Sequence, residues 1–382
     1  MHSGKGPATD PWFRDFLHTT RPLNALLQPL NTGSIQVIYT RVDRDARNVP
    51  HFHDFYYQVD PDRYFYPASA VKLPMAAAAL EKINTLALPG LHAGTPYRTA
   101  VTPPLDRGYQ AGRAYSVAED IANMLTLSSN TAFNRLYQFT GPTLRHLLAT
   151  RGYPQVDIRH QLGFPFTGAG HPAAACEFMA GEQVIYRQEG AVPAHSFPPA
   201  PGHTAAAGNA PAGIPGAQQP GFTDFSQRNR LPLPDLHRLL RSIIFPASVT
   251  FDQRFRLTDA DHALLLRGLG QWPRQMQAGL PDAYAKFLLP DGDPATLRSF
   301  NKAGWAFGFL TDSAYIVDLA RGVEFCLSAA IAVYGHGTRT PDDPGHDTIG
   351  KPVLKALGQA LYAYELERPR KYYPDLQRYA FV

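Results

Sequence analysis

Strand-forming segments stand near both ends of this chain, and the residues between them are mostly helix-forming. Residues 34–42 (SIQVIYTRV) and 55–59 (FYYQV) are rich in β-branched and aromatic side chains, as are residues 314–319 (AYIVDL) and 324–334 (EFCLSAAIAVY). A chain with this order leaves a sheet and later returns to it. The sequence therefore predicts one sheet shared by distant parts of the chain.

Helices are predicted for the middle of the chain. The alanine-rich residues 69–84 (SAVKLPMAAAALEKIN) have a strongly helical composition. A capping box, Ser116-x-x-Glu119, opens a second helix that ends at Ser128. A third helix is expected to stop near Gly141, and a fourth to start at Pro142. Three further helical segments are 234–244, 259–269 and a closing helix at 351–368.

Residues 189–222 are dominated by Pro, Ala and Gly and have no periodic apolar face, which is typical of a surface insertion. We expect residues 1–382 to form a single catalytic unit with two parts. Residues 24–66 and 296–382 would form an α/β part, and residues 67–295 a mainly helical part that carries the insertion.

Composition limits the classes of partner. Hydrophobic residues make up 44% of the 382 residues, which is enough for a large core, and 36 Lys and Arg face 32 Asp and Glu without a dense basic run. A nucleic-acid partner is therefore not expected. No stretch reaches the roughly 20 apolar residues of a membrane span.

Cys176 and Cys326 could form one disulfide or none, and neither has metal-site spacing, so no metal is expected.

Ser69 and Lys72 stand three residues apart at the start of the alanine-rich helix, hence on one helix face. A neutral, desolvated lysine could take the proton of a serine hydroxyl and activate it as a nucleophile. The helix N-terminus favours the negative charge that develops in acyl transfer. The alternative interpretation is a helix-capping serine followed by a solvated lysine.

Ser128-Ser129-Asn130 lies between two predicted helices, where a short connection can direct side chains into a cleft. Ser128 could relay a proton to a leaving nitrogen. Asn130 offers an amide donor and an acceptor, which suits it to hold Lys72 and a substrate amide. The alternative is ordinary turn chemistry, with Thr131 capping the next helix.

Lys302-Ala303-Gly304-Trp305 begins a predicted strand and hairpin. An ammonium group at a sheet edge can bind a substrate carboxylate. Gly304 permits close backbone approach, and the N–H of Trp305 could complete an oxyanion hole with that of Ser69. The candidate substrate-binding residues are therefore these four, and the alternative is a surface lysine beside a turn glycine.

The order S-x-x-K, S-x-N, K-x-G resembles that of the serine β-lactamases and penicillin-binding proteins. The segments YPASAVKLPMAAAAL and LSSNTAFNRLY are similar to the nucleophile helix and central loop of the class A type. The resemblance implies an α/β (α+β) fold with an antiparallel sheet from both termini, flanked by helices, beside an all-α domain. It also implies that Ser69 is acylated, Lys72 is its base, Ser128 and Asn130 form the central-loop pair, and Lys302 anchors a carboxylate.

Three departures from the family pattern bear on activity. Ala303 replaces the usual Thr or Ser and removes one hydroxyl that would contact a carboxylate. Ser129 replaces the Asp common in class A enzymes. Class A enzymes also carry a Glu, with an Asn a few residues on, which holds the deacylating water.

That deacylating Glu appears at no matching position here. The corresponding stretch reads DIRHQLGFPFTGAGHPAAACEFMAGEQ, and neither Glu177 nor Glu182 is followed by an Asn at the required spacing. We therefore expect slow release of a β-lactam acyl-enzyme. Asp157, His160 and Glu177 are the candidate substitutes.

Three functions stay open. The first is a serine hydrolase or acyltransferase with an acyl-enzyme at Ser69, acting on a β-lactam, an ester, an amide or a peptidoglycan fragment. The second is an active class A-type β-lactamase, and the third a non-catalytic cell-wall or ligand-binding protein.

No cofactor is expected, since serine, lysine and backbone donors suffice for acyl transfer. The resemblance implies a periplasmic or secreted protein, although the first residues lack the apolar core of a signal peptide, so a cytoplasmic location stays open.

Overall fold

The computed structural model describes residues 7–30, 32–100, 110, 112–163, 172–191, 225, 227–333 and 345–380. Its helices are α1 Pro11–Thr19, α2 Leu23–Leu27, α3 Lys72–Leu86, α4 Val117–Thr126, α5 Asn130–Thr150, α6 Leu233–Ile244, α7 Asp259–Gly270, α8 Pro273–Met276 and α9 Lys351–Glu367. Its strands are β1 Ile35–Arg44, β2 Pro50–Tyr57, β3 Pro96–Thr99, β4 Tyr115–Ser116, β5 Cys176–Ala180, β6 Gln183–Gln188, β7 Leu297–Ala306, β8 Phe309–Asp318 and β9 Val323–Ala332.

The main sheet joins the two ends of the chain. Its strand order is β2-β1-β9-β8-β7, and every neighbouring pair is antiparallel. The central pairing sets Ile35 opposite Ile331, so that residues almost 300 positions apart share one ladder. This arrangement confirms the predicted fold class, and it leaves β7 at an edge of the sheet.

Helices pack against both faces of the main sheet, which buries its inner strands. Strands β8 and β9 are buried at every residue. One face packs against α1, α2 and α9 in a core that includes Val37, Leu327 and Leu357. The other face contacts α6. The sheet therefore lies between two layers of helices, and the polar side chains in its inner strands, such as Asp312 and Glu324, are buried as well.

The alanine-rich helix α3 runs through the centre of the helical part. Ala76, Ala77, Ala78 and Ala79 are all buried, which allows neighbouring helices to approach closely. A helix that is apolar on every side must be enclosed by other elements. Because α3 begins at Lys72, its buried position also places that lysine in the interior.

A second, small sheet lies in the mainly helical part, with the order β4-β3-β5-β6 and antiparallel pairing. The sequence analysis did not predict it. Strand β4 is only two residues long, and β3 pairs with a strand almost 80 residues away. Such short segments have too few alternating positions to be distinguished from loops.

The predicted break between two helices at Gly141 and Pro142 is wrong, because α5 continues through both residues. Proline normally disfavours the helical conformation of its predecessor through contact with that residue's Cβ, which glycine lacks. Proline also cannot donate to the carbonyl four residues earlier, here that of Gln138. That oxygen instead accepts a hydrogen bond of 2.9 Å from the side chain of Gln188.

Most of the predicted insertion, residues 192–222, lies outside the described residues. Both cysteines are buried and unpaired, Cys176 on β5 and Cys326 on β9. Within the described ranges, no helix is long and apolar enough to cross a bilayer.

Candidate active site

Ser69 lies on a short 3₁₀ turn, Ala68–Val71, that leads directly into α3. Ala68, just before it, has a φ of 44°, in the left-handed region that side chains rarely adopt. Such strain is of order 1–3 kcal/mol and persists only where the surrounding structure enforces it. The turn therefore presents Ser69 in a fixed orientation at the N-terminus of a buried helix.

Lys72 is fully buried, and its side-chain nitrogen contacts three of the residues that the sequence analysis selected. It lies 2.8 Å from the hydroxyl oxygen of Ser69 and 2.7 Å from Oδ1 of Asn130. It also contacts the carbonyl oxygen of Ser128 and lies 3.2 Å from that residue's hydroxyl. The structure thus brings Ser69, Lys72, Ser128 and Asn130 together.

The corner between α4 and α5 positions Ser128. Its φ of 58° is a second left-handed, non-glycine conformation beside the nucleophile. The next residue, Ser129, caps α5 by accepting a 2.9 Å hydrogen bond from the N–H of Ala132. Ser129 is thus a capping residue, whereas Ser128 and Asn130 on either side contact Lys72.

Strand β7 supplies the opposite wall of the site. The side-chain nitrogen of Lys302 is buried and donates to the hydroxyl of Ser128 at 3.1 Å and to the carbonyl of Ala303 at 2.8 Å. The Ser128 hydroxyl therefore lies between the side-chain nitrogens of Lys72 and Lys302.

Gly304 is where β7 contacts the nucleophile turn. A Cβ at this position would lie 2.3 Å from the carbonyl oxygen of Pro67 and 2.7 Å from the backbone nitrogen of Ser69. Both distances are far below van der Waals contact, so only glycine allows the strand to approach the turn this closely. The missing side chain thus sets the spacing between β7 and the backbone of Ser69.

Ala303 and Trp305 direct their side chains to the other face of the sheet, because neighbouring strand residues alternate. Both pack in the core beneath α9. The Trp305 ring lies 5.3 Å from that of Tyr284 and 5.4 Å from that of Phe287. At Ala303 and Trp305, the backbone therefore faces the nucleophile turn, and the side chain does not.

A buried charge network that the sequence analysis missed lies behind Lys302. Lys286 donates to the carbonyl of Ser299 at 2.7 Å and to Oδ1 of Asn301 at 3.0 Å. The Asn301 amide donates to Oδ1 of Asp312 at 2.8 Å. Asp312 is wholly buried, and its carboxyl also accepts from the N–H of Phe287. The available signal in the sequence was a charged residue, Asp312, within a strand that is buried at every position.

These contacts shift the ionisation of the lysines. Burial lowers the pKa of Lys302 to about 7, and nearby Lys286 lowers it further while Asp312 opposes the change. Burial likewise lowers the pKa of Lys286 to about 7. Burial raises the pKa of Asp312, against the hydrogen bonds from Asn301 and from the backbone of Leu288. The charge of Lys302 can therefore change near neutral pH.

The three candidate deacylating residues have different surroundings. Asp157 is buried and accepts a 2.6 Å hydrogen bond from Arg159. His160 is buried, with Nδ1 2.7 Å from the carbonyl of Gln161. Glu177 lies on β5 in the small sheet and pairs with Arg187 at 3.1 Å. Residues 164–171 of the same stretch lie outside the described residues.

The arrangement contains the parts that acyl transfer needs: a hydroxyl against a buried amine, a second hydroxyl between two amines, and a strand edge beside the nucleophile backbone. Among the described residues, no group of three or more His, Cys, Asp or Glu side chains is placed to hold a metal ion.

Comparison with known proteins agrees with this geometry. Residues 24–196 match the family model of the β-lactamase enzyme family, a range that includes Ser69, Lys72, Ser128 and Asn130 but not Lys302. No curated protein matches the chain.

Solved β-lactamase structures share the fold. One from Xanthomonas campestris pv. campestris has a TM-score of 0.54 at 14% identity, covering 92% of this chain and 96% of that one. One from Streptosporangium roseum has a TM-score of 0.52 at 16% identity, covering 90% and 98%. One from Sphaerobacter thermophilus has a TM-score of 0.50 at 13% identity, covering 91% and 97%. The match over residues 24–196 makes this chain similar to the β-lactamase enzyme family, and the solved structures show that it has a β-lactamase fold.

Proposed function

We propose that this protein is a serine hydrolase or acyltransferase that forms an acyl-enzyme at Ser69, with Lys72 as the base. The observation that carries the proposal is the 2.8 Å contact between the Lys72 nitrogen and the Ser69 hydroxyl inside a buried site. A serine hydroxyl needs an adjacent base to become nucleophilic, and this contact supplies one within hydrogen-bond reach.

The other contacts of Lys72 support its role as a base. The Ser128 carbonyl and Asn130 Oδ1 are both acceptors only, and each takes one N–H from the amine. A neutral lysine has two N–H bonds and one lone pair. In the neutral form, the lone pair would accept the proton of Ser69 across the 2.8 Å contact.

The catalytic cycle then follows from the positions of the other groups. The Ser69 oxygen attacks the acyl carbonyl as its proton passes to Lys72. The backbone N–H groups of Ser69 and Trp305 would stabilise the oxyanion. The hydroxyl of Ser128, 3.2 Å from Lys72, would pass that proton to the leaving atom. Lys302 would attract a substrate carboxylate, which favours small acidic substrates.

Slow deacylation is part of this proposal. The carboxylates of Asp157 and Glu177 are engaged by Arg159 and Arg187. Each carboxylate already has an arginine as its partner, which competes with a water for its oxygens. An acyl-enzyme made from a β-lactam would therefore accumulate.

A second candidate function is efficient β-lactam hydrolysis, which the family match over residues 24–196 favours. In that case a residue of the stretch between Asp157 and Glu189 activates the deacylating water. The two candidates differ in the time course with nitrocefin. A stoichiometric burst that then stops supports the first, and steady turnover supports the second.

Hydrolysis of nitrocefin and p-nitrophenyl esters by wild type and Ser69→Ala tests the proposed nucleophile. Ser34→Ala serves as the control, since Ser34 lies outside the site at the start of β1. We expect Ser69→Ala to abolish turnover and any burst, and Ser34→Ala to retain both. Equal hydrolysis by wild type and Ser69→Ala on every acyl substrate would overturn the proposal.

A further inference from the structure

A cavity of about 810 Å³ lies away from the nucleophile, between the N-terminal helices and the end of β2. Helices α1 and α2 form one side. Tyr57 and Gln58 form another, and Arg63, in the segment that leads to the nucleophile turn, borders it as well. The acyl-transfer chemistry proposed for Ser69 makes no use of this cavity.

Two arginines, Arg14 and Arg63, line the cavity and are cationic. Arg14 and His18 stand four residues apart and so share one face of α1. Arg63 lines the same cavity from a different segment of the chain. Among the described residues that line it there is no Asp or Glu. Arg14 pairs with Asp15, but its side chain is still 53% exposed. A region of this kind has a positive potential that attracts anions.

Arg63 gives the more specific indication. Its Nη1 atom is buried and has no hydrogen-bond partner among the described residues. The guanidinium lies against Gly33, where an added Cβ would come within 2.1 Å of Nη1. Packing against Gly33 therefore holds the Arg63 guanidinium at the border of the cavity.

Hydrogen bonds hold the polar wall in place. The Tyr57 hydroxyl lies 3.0 Å from Nε2 of His18 and accepts from Nε2 of Gln58 at 3.0 Å. The Oε1 atom of Gln58 accepts from the N–H of Gly33 at 2.7 Å. The lining is therefore ordered before any ligand binds, which lowers the entropy lost on binding.

We infer that this cavity binds a small organic anion carrying two or more carboxylate or phosphate groups. Arginine forms bidentate, charge-assisted hydrogen bonds with both kinds of group. The carbon skeleton of such an anion would lie against Leu27 and Leu30, which also line the cavity.

Isothermal titration calorimetry and thermal shift with citrate and with pyrophosphate test the inference, at ionic strength matched with NaCl. We expect saturable binding and a raised melting temperature with at least one of them, and the better probe distinguishes carboxylate from phosphate chemistry. Arg63→Gln and Arg14→Gln should each weaken binding by about tenfold or more.

Arg47→Gln is the matched control, because it removes the same charge from a side chain that is 85% exposed and lies outside the cavity. It should leave the affinity unchanged. Melting curves without ligand establish that each variant is folded, and Arg14→Gln provides the test if Arg63→Gln is not. Binding of neither probe, or equal binding by the arginine variants and wild type, would overturn the inference. None of these readouts depends on acyl transfer.

Discussion

The side-chain nitrogen of Lys302 lies 3.1 Å from the hydroxyl oxygen of Ser128, and water has little access to either group. The same hydroxyl is 3.2 Å from the nitrogen of Lys72. The charge on Lys302 therefore affects both the binding of an anionic substrate and the proton relay proposed for Ser128.

Substrate binding should depend on pH through Lys302. With a pKa of about 7, its ammonium is charged below that pH and neutral above it. The KM for an acyl substrate with a free carboxylate should rise as pH increases from 6 to 8, because the attraction is lost. The KM for a neutral p-nitrophenyl ester of the same acyl group should stay nearly constant. Parallel changes in both KM values would contradict this role of Lys302.

The local motifs were predictable from the sequence because each is contiguous and stands at the start or end of an element. Ser69 and Lys72 are placed by helix geometry alone. The charge network behind Lys302 was not predictable, since Lys286 and Asp312 meet only after a loop and two strands have packed together. Its one visible sign was the charged Asp312 shortly before the apolar strand residues AYIV.

Gly304→Ala should disable the site. The new Cβ would overlap the backbone around Pro67 and Ser69, so β7 must move away from the nucleophile turn. Overpacking of this kind costs about 1–3 kcal/mol, and a displaced oxyanion donor costs about 100-fold in rate. We expect kcat/KM to fall by about 100-fold or more, with only a moderate drop in melting temperature.

Gly94→Ala is the control for that variant. Its added Cβ would meet only the end of the flexible His92 side chain, at 3.2 Å. Its activity should equal that of wild type. Wild-type activity in Gly304→Ala would show that the close contact between β7 and the turn is not needed.

Asp120→Asn should destabilise the corner that carries Ser128. Asp120 on α4 is fully buried and pairs with Arg135 on α5, with bonds of 3.0 and 3.1 Å to Nε. Removing one partner of a buried pair leaves the other charge uncompensated, at about 3–5 kcal/mol. Urea denaturation should show a loss of this size.

Arg113→Gln tests whether that loss is specific to a buried pair. Arg113 also pairs with an acid on α4, Glu119, but its side chain is 44% exposed. Exposed ion pairs contribute little to stability. Similar losses in Asp120→Asn and Arg113→Gln would contradict the importance assigned to burial.

The sharing of one sheet by both ends of the chain could be predicted, because residues 34–42 and 324–334 are rich in β-branched and aromatic side chains, but the strand order was not predicted. The continuation of α5 through Pro142 could not be predicted, because it depends on a hydrogen bond from Gln188, almost 50 residues away in the chain. The small sheet likewise depends on pairing between β3 and β5, which no local pattern reveals.

Lys286 should make stability depend on pH. Its pKa in the folded protein is about 7, below its ordinary value of 10.5, so the unfolded chain binds more protons between these values. The free energy of unfolding should therefore rise with pH over this window. Lys286→Met should flatten that slope, whereas Lys355→Met, at a 43% exposed side chain, should not. An unchanged slope in Lys286→Met would contradict the lowered pKa.

Intact-protein mass spectrometry after incubation with benzylpenicillin, followed over hours, tests the central claim most directly. We expect a persistent adduct with the mass of one added penicillin on wild type, and none on Ser69→Ala. Such a result would establish Ser69 as the nucleophile and show that deacylation is slow. An equal adduct on both proteins, or no adduct with the penicillin left intact, would contradict β-lactam acylation at Ser69.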